Sequence, residues 1–227
     1  MNTEDIKLKN DIVFEANTDG RKQDRRVSIN MFEVLEGKNI RLRKPRKEDY
    51  QSMLKHVWGD ETVYRWMLYQ PTLTEEDAIE RCRRSMEFQK DHYAYFVALK
   101  DTDEAVGLCA IKEIAPGHYE ESGICIGTAF QGKGYGKEIV ELLLKLAFEK
   151  LGAEDLRYGY FRENEKSKKV AEFFGVHYDY TYELTRPWDG SVKTIDSCIL
   201  TREEYENKFR IHNSELDLVD DKVCSFD

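Results

Sequence analysis

The run Gln131-Gly132-Lys133-Gly134-Tyr135-Gly136 constrains the fold of this chain more than any other stretch, because of what flanks it. Gly123 to Ile126 reads as a short buried strand. Beyond the run, Ile139, Leu143, Ala147 and Leu151 recur at helical spacing, and Val140, Leu144 and Phe148 widen that apolar face. Glycines at alternate positions let the backbone turn tightly and aim its amides at one point. Those amides stand at a helix N-terminus, where unpaired N–H groups and the helix dipole favour an anion. The expectation is a phosphate site in a strand–loop–helix unit, against the plainer reading of an ordinary glycine turn.

Two common phosphate motifs do not fit. Gly127 followed by Gly132-Lys133 has the spacing that opens a nucleotide P-loop, but Gly134 stands where a hydroxyl is needed for magnesium. A dinucleotide fingerprint needs a glycine three residues after Gly134, where the chain has Lys137, and its strand is the first of the fold. Here the strand is about the fifth.

Composition narrows the classes further. A chain of 227 residues with 41% hydrophobic content can bury one good core. A net charge of −9 argues against a general nucleic-acid surface and suits the attraction of cationic amines, or simply a well-solvated surface. Cys82, Cys109, Cys125, Cys198 and Cys224 are odd in number and lack close pairs, so neither a disulfide framework nor a zinc site is expected, and a reducing cytoplasm fits. No apolar run approaches the ~20 residues of a membrane span, and the polar, acidic start does not read as a signal peptide.

Along the chain, residues 1–30 read as a polar extension, 31–210 as one domain and 211–227 as an acidic tail. Asn39 to Lys44 alternates as a first strand, ended by Pro45, and Glu48 to Val57 reads as a helix. Trp58 to Gln70 is rich in aromatics. Thr74-Glu75-Glu76-Asp77 resembles a capping box for a helix running to about Gln89. Strands are expected at Tyr93 to Lys100, Ala105 to Ile114, Glu121 to Gly127, Leu156 to Phe161, Tyr178 to Leu184 and Val192 to Leu200. Thr201-Arg202-Glu203-Glu204 caps a short last helix.

A second motif follows the loop at a fixed distance. After the Leu156–Phe161 strand come Asn164, Ser167 and then Phe173-Phe174-Gly175-Val176. With Gln131, Gly134 and Gly136, these residues resemble the acyl-coenzyme A-binding motifs of the GNAT N-acetyltransferases, and the resemblance runs from about Asn39 to Tyr205. It is nearest to the branch that includes the ribosomal-protein N-terminal acetyltransferases. The implied fold is α/β (α+β): a twisted, mostly antiparallel mixed sheet of about seven strands with flanking helices, one parallel strand pair splaying apart to admit the cofactor. The implied activity is transfer of acetyl from acetyl-CoA, without a metal, to a primary amine on a protein N-terminus or small molecule. A catalytically silent acyl-CoA-binding module is the alternative. Neither nucleic acid nor membrane is expected as a partner, and a homodimer is left open.

The resemblance also assigns residues. The cofactor would meet Ile126, Gln131, Gly132, Lys133, Gly134, Tyr135, Gly136, Asn164 and Ser167. A backbone amide near Ile126 would polarise the thioester carbonyl, with Gly127 as a bulge residue that frees it. Glu121 is the first candidate for the base that removes the amine's proton, with Glu120 and His118 as neighbours that compete for the role. Many relatives place a Tyr acid seven residues after the motif Asn, but that position is Ala171 here. Ser167 is the candidate acid instead, with Tyr178 and Tyr160 in reserve, and equally a small residue that lets the cofactor pass close to the helix. Tyr64 and Tyr69 are candidates for acceptor contact, while Trp66 is assigned to core packing. Cys125 reads as a small buried apolar residue, since direct transfer needs no acyl-enzyme.

Overall fold

The computed structural model describes residues 32–209, and the expected extension at 1–30 and tail at 211–227 lie outside them. Strands β1 (Val34–Glu36) and β2 (Ile40–Arg43) form a hairpin, followed by a continuous helical segment with α1 (Tyr50–Met53) at its centre and a π turn, Leu54–Trp58, at its end. The short α2 (Glu61–Tyr64) and the longer α3 (Glu75–Phe88) precede the meander of β3 (Tyr93–Leu99), β4 (Ala105–Ala115) and β5 (His118–Ile126). Then come α4 (Tyr135–Lys145, prolonged by a π turn), β6 (Asp155–Phe161), α5 (Glu165–Phe174), β7 (His177–Thr185), β8 (Val192–Thr201) and α6 at 202–209.

The eight strands make one sheet in the order β1-β2-β3-β4-β5-β6-β8-β7, with β5–β6 its parallel pair. The strand beyond the expected seven is β1, three residues long and too short to show alternation in the sequence. Both faces of the sheet are covered. Strand β3 reads Tyr-Ala-Tyr-Phe-Val-Ala-Leu without a polar position because its alternate residues enter different cores. Tyr95 and Val97 pack with α4 and α5 through Ile139, Leu143, Phe148 and Phe174. Phe96 packs on the other side against Met53, Val57, Trp58 and Cys82.

Local chemistry sets the helix ends. The Thr74 hydroxyl oxygen accepts the Asp77 N–H at 3.2 Å and donates to Asp77 Oδ2 at 2.8 Å, so the start of α3 is satisfied as its sequence promised. A buried ion pair fixes the join between β2 and α1. Arg43, 2% exposed, is bidentate to Asp49 at 2.7 and 2.8 Å and also reaches Asp103.

Candidate active site

The parallel pair is in register over three positions only: His118 with Asp155, Tyr119 with Leu156, and Glu120 with Arg157. From Glu121 onward β5 leaves β6, and the gap between them is the centre of the candidate site. An irregularity in β5 falls at the departure. Cys109 of β4 faces Ile124, yet Ile111 faces Glu121, so Ser122 and Gly123 both stand opposite Ala110. Gly123 has φ 133°.

This corrects the expected bulge. Gly127 is not the bulge residue, because its N–H bonds Val106 O on β4 at 2.8 Å. Its lack of a side chain answers another need: a Cβ there would lie 2.8 Å from the His56 carbonyl oxygen. The same pairing fixes the direction of the Ile126 amide. Amides alternate in direction along an antiparallel ladder, so with Gly127 bonded inward, the N–H and C=O of Ile126 face the open edge. The carbonyl is taken by Gln131 Nε2 at 3.0 Å, and Gln131 Oε1 accepts from Lys166 Nζ at 2.7 Å. Gln131 thus ties the end of β5 to the first turn of α5.

The glycine loop takes the tight turn that its sequence implied. Gly132 and Gly134 sit at φ 77° and 85°, in the left-handed region, and Gly134 is the N-cap of α4. Gln131 N–H bonds Thr128 O, and Lys137 and Glu138 N–H groups both bond Gly134 O. Among the described residues, no acceptor takes the N–H groups of Gly132, Lys133, Gly134, Tyr135 or Gly136. Nothing lies within 4 Å of where a Cβ would stand on Gly132, Gly134 or Gly136. Unpaired amides at a helix N-terminus with open space before them fit the pyrophosphate of coenzyme A. Lys133 Nζ stacks 5.5 Å from the Phe130 ring centroid, and Tyr135 packs against the main core.

Glu121 is half-buried at the point of splaying. Burial pushes its carboxyl up to about 8, partly offset by the N–H groups of Gly123 and of Gly159 on β6. Its two competitors are engaged elsewhere: Glu120 pairs with Lys112 at 3.0 Å, and His118 with Asp155 at 2.7 Å. Asn164 caps α5 by accepting the Ser167 N–H at 3.2 Å. The Ser167 hydroxyl is 2.8 Å from the hydroxyl of Tyr158, a residue that sequence reasoning passed over. Alternation along β6 carried the signal, since Leu156, Tyr158 and Tyr160 must share one face. The reserves are less well placed: Tyr178 is exposed with its hydroxyl on Thr181, and the Tyr160 hydroxyl lies 4.0 Å from Cys198 Sγ. Ala171 is 3% exposed in the core, which leaves no room for a tyrosine there.

Among the aromatics of this segment, Tyr69 is enclosed and Trp66 stands at an open cleft. Tyr69 is 4% exposed, with Arg81 stacked on its ring and its hydroxyl 3.9 Å from Cys125 Sγ, so it belongs to the core rather than to an acceptor wall. Trp66 lines an open cleft of about 320 Å³ with Thr62, Arg65, Asn164 and Lys166. Tyr64 is half-buried and meets Trp188 of the β7–β8 turn edge-on at 6.1 Å. Arg186 of the same turn bonds Arg65 O at 2.9 Å, so the hairpin and the α2 segment are fastened together. Met67 lies over the bulge, its Cε 3.7 Å from the Cβ position of Gly123. Burial raises the Cys125 thiol to about 11, which removes it as a nucleophile at neutral pH.

A splayed parallel pair, an amide cradle on the following helix and a carboxyl at the fork define an acyl-coenzyme A transferase architecture, and comparison with known proteins agrees. The sequence profile of the acetyltransferase (GNAT) domain matches residues 39–177. The chain belongs to the GNAT acetyltransferase family and is an acyltransferase. It is 28% identical over 144 residues to the uncharacterized N-acetyltransferase p20 of Bacillus licheniformis, which spans 61% of this chain and 79% of that protein. Its fold is similar to a GNAT-family acetyltransferase from Bacillus anthracis, with TM-score 0.65 and 20% identity, covering 75% of this chain and 99% of that one. It is also similar to the ribosomal-protein-S5-alanine acetyltransferase from Vibrio fischeri, with TM-score 0.62 and 16% identity, covering 76% and 98% respectively.

Among the described residues no group of three or more His, Cys, Asp or Glu is placed to hold a metal ion, and no helix is long and apolar enough to cross a membrane.

Proposed function

We propose that this protein transfers acetyl from acetyl-CoA directly to a primary amine, on a protein N-terminus or a small molecule, in the cytoplasm. One observation carries the reading: a carboxyl held at about 8 stands where β5 leaves β6, on the strand whose Ile126 amide faces the same open edge. An α-ammonium has a pKa near ~8, so Glu121 is matched to take its proton and free the nitrogen lone pair for attack. Acetyl-CoA supplies a thioester, whose carbonyl oxygen gains charge as the carbon–nitrogen bond forms. The Ile126 N–H is the donor for that oxygen. Ser167 donates a hydrogen bond to the departing sulfur, and the amides of residues 132–136 with Lys133 hold the phosphates. Tyr64 and Trp66 supply apolar surface for the acceptor beside the fork.

The test is release of free thiol from acetyl-CoA with two acceptor panels, peptides with free N-termini and small polyamines. Turnover with either panel supports the transferase, and the better panel names the acceptor class. Tight acetyl-CoA binding without thiol release on any amine would establish the silent binding module instead.

A further inference from the structure

Tyr158 is buried at 4% exposure, and its ring is part of the main core, yet its hydroxyl reaches across from β6 to the first turn of α5. There it meets Ser167 Oγ at 2.8 Å. The Ser167 main chain is fixed independently, since its N–H donates to the Asn164 cap at 3.2 Å. A serine hydroxyl rotates freely unless a partner sets it. Tyr158 is that partner.

We propose that Tyr158 is a positioning residue for acetyl transfer: its phenol donates to Ser167 Oγ and so directs the serine's own hydrogen toward the departing sulfur. The proposal rests on the reading of Ser167 as the group that meets this sulfur. Burial and the nearby Glu121 and Tyr160 hold the Tyr158 phenol well above its ordinary value, so it stays a donor throughout the working pH range. The ammonium first passes one proton to Glu121; the freed amine nitrogen then forms a bond to the acetyl carbon as the carbon–sulfur bond breaks. The thiolate leaves carrying the electron pair of the broken bond, held by the Ser167 O–H, and then takes, through water, the second proton that the nitrogen loses. Tyr158 gives up no proton in this sequence. It polarises the serine hydroxyl, and hydrogen bonds in such a chain strengthen one another. A strand residue thereby supports on α5 the donor that buried Ala171 does not supply.

The test uses Tyr158→Phe, Ser167→Ala and the double variant, with kcat and the acetyl-CoA Kd measured at saturating amine below each variant's melting temperature. Tyr158→Phe keeps the buried ring and removes one oxygen. The expected result is a fall in kcat of roughly tenfold, the order of one hydrogen bond, with acetyl-CoA Kd changed less than about twofold. The double variant should match Ser167→Ala alone, because the phenol acts only through the serine. The solvent deuterium isotope effect on kcat should change in Tyr158→Phe, which a packing role would not produce. Parent-like kcat in Tyr158→Phe beside a slow Ser167→Ala overturns the proposal and leaves Ser167 standing, as does a double variant slower by the product of the two losses. Parent-like kcat in Ser167→Ala overturns both.

Discussion

Replacing Glu121 by Gln tests the fork of the sheet through two independent readouts. The carboxyl titrates at about 8 in the folded chain against an ordinary 4.5. Between those values the folded state keeps a proton that the unfolded state has released, so stability falls as pH rises from about 4.5 through 8. A gap of about 3.5 pH units at about 1.36 kcal/mol each sets a ceiling of roughly 5 kcal/mol, and solvent reaching the half-buried group trims this to a few kcal/mol. Glu121→Gln has nothing to ionise there. Parent and variant should differ least near pH 4.5, and the variant's advantage in urea melts should grow up to about pH 8 and then level off. Activity should move the other way. Turnover should fall by roughly 10²–10⁴-fold, the usual worth of a general base. The parent's kcat/KM should form a bell centred near pH 8 with an α-amine acceptor, because ionised Glu121 and protonated amine coexist there. The variant should lose the bell and climb to a plateau as the amine itself becomes neutral. Parallel urea curves at pH 5, 7 and 9 would refute the buried-carboxyl argument, and a bell surviving in the variant would refute the assignment of the base.

Acetyl-CoA should raise the melting temperature of the parent, and Gly134→Asp should abolish that shift by setting a carboxylate among the loop amides; an undiminished shift would remove the loop from the cofactor site. Arg43→Ala should destabilise by about 3–5 kcal/mol in denaturant melts, because Asp49 is left charged and buried, and a loss below about 1 kcal/mol would contradict that burial. Tyr64→Ala should raise the acceptor's KM more than that of acetyl-CoA, whereas Tyr69→Phe, which loses only a long contact to Cys125, should leave both unchanged. Arg186→Ala should likewise raise acceptor KM by unfastening the β7–β8 hairpin from the α2 segment, and steady-state kinetics with a good acceptor decides it.

The turn of the glycine loop, the capped helices and the succession of strands along the chain were legible in the sequence because each depends on neighbours in the chain. A left-handed glycine at Gly134 with an amphipathic face beyond it, or a Thr74 cap, is complete within a few residues. The Asn164–Ser167 spacing is equally local, since an N-cap and its N3 amide are always three apart. What the sequence left open depends on where separate segments meet. The bulge fell at Ser122–Gly123 rather than Gly127 because strand register is settled between β4 and β5, and a glycine serves close packing as readily as a turn. Tyr69 is enclosed and Trp66 lines a cleft, although both are large aromatics on one irregular segment, because only the packing against α3 and β5 decides which ring is enclosed. The raised carboxyl of Glu121 and the Tyr158–Ser167 contact are tertiary in the same sense. A glutamate has its carboxyl raised by the burial that surrounding segments impose on it, and a phenol finds its serine across the gap between β6 and α5.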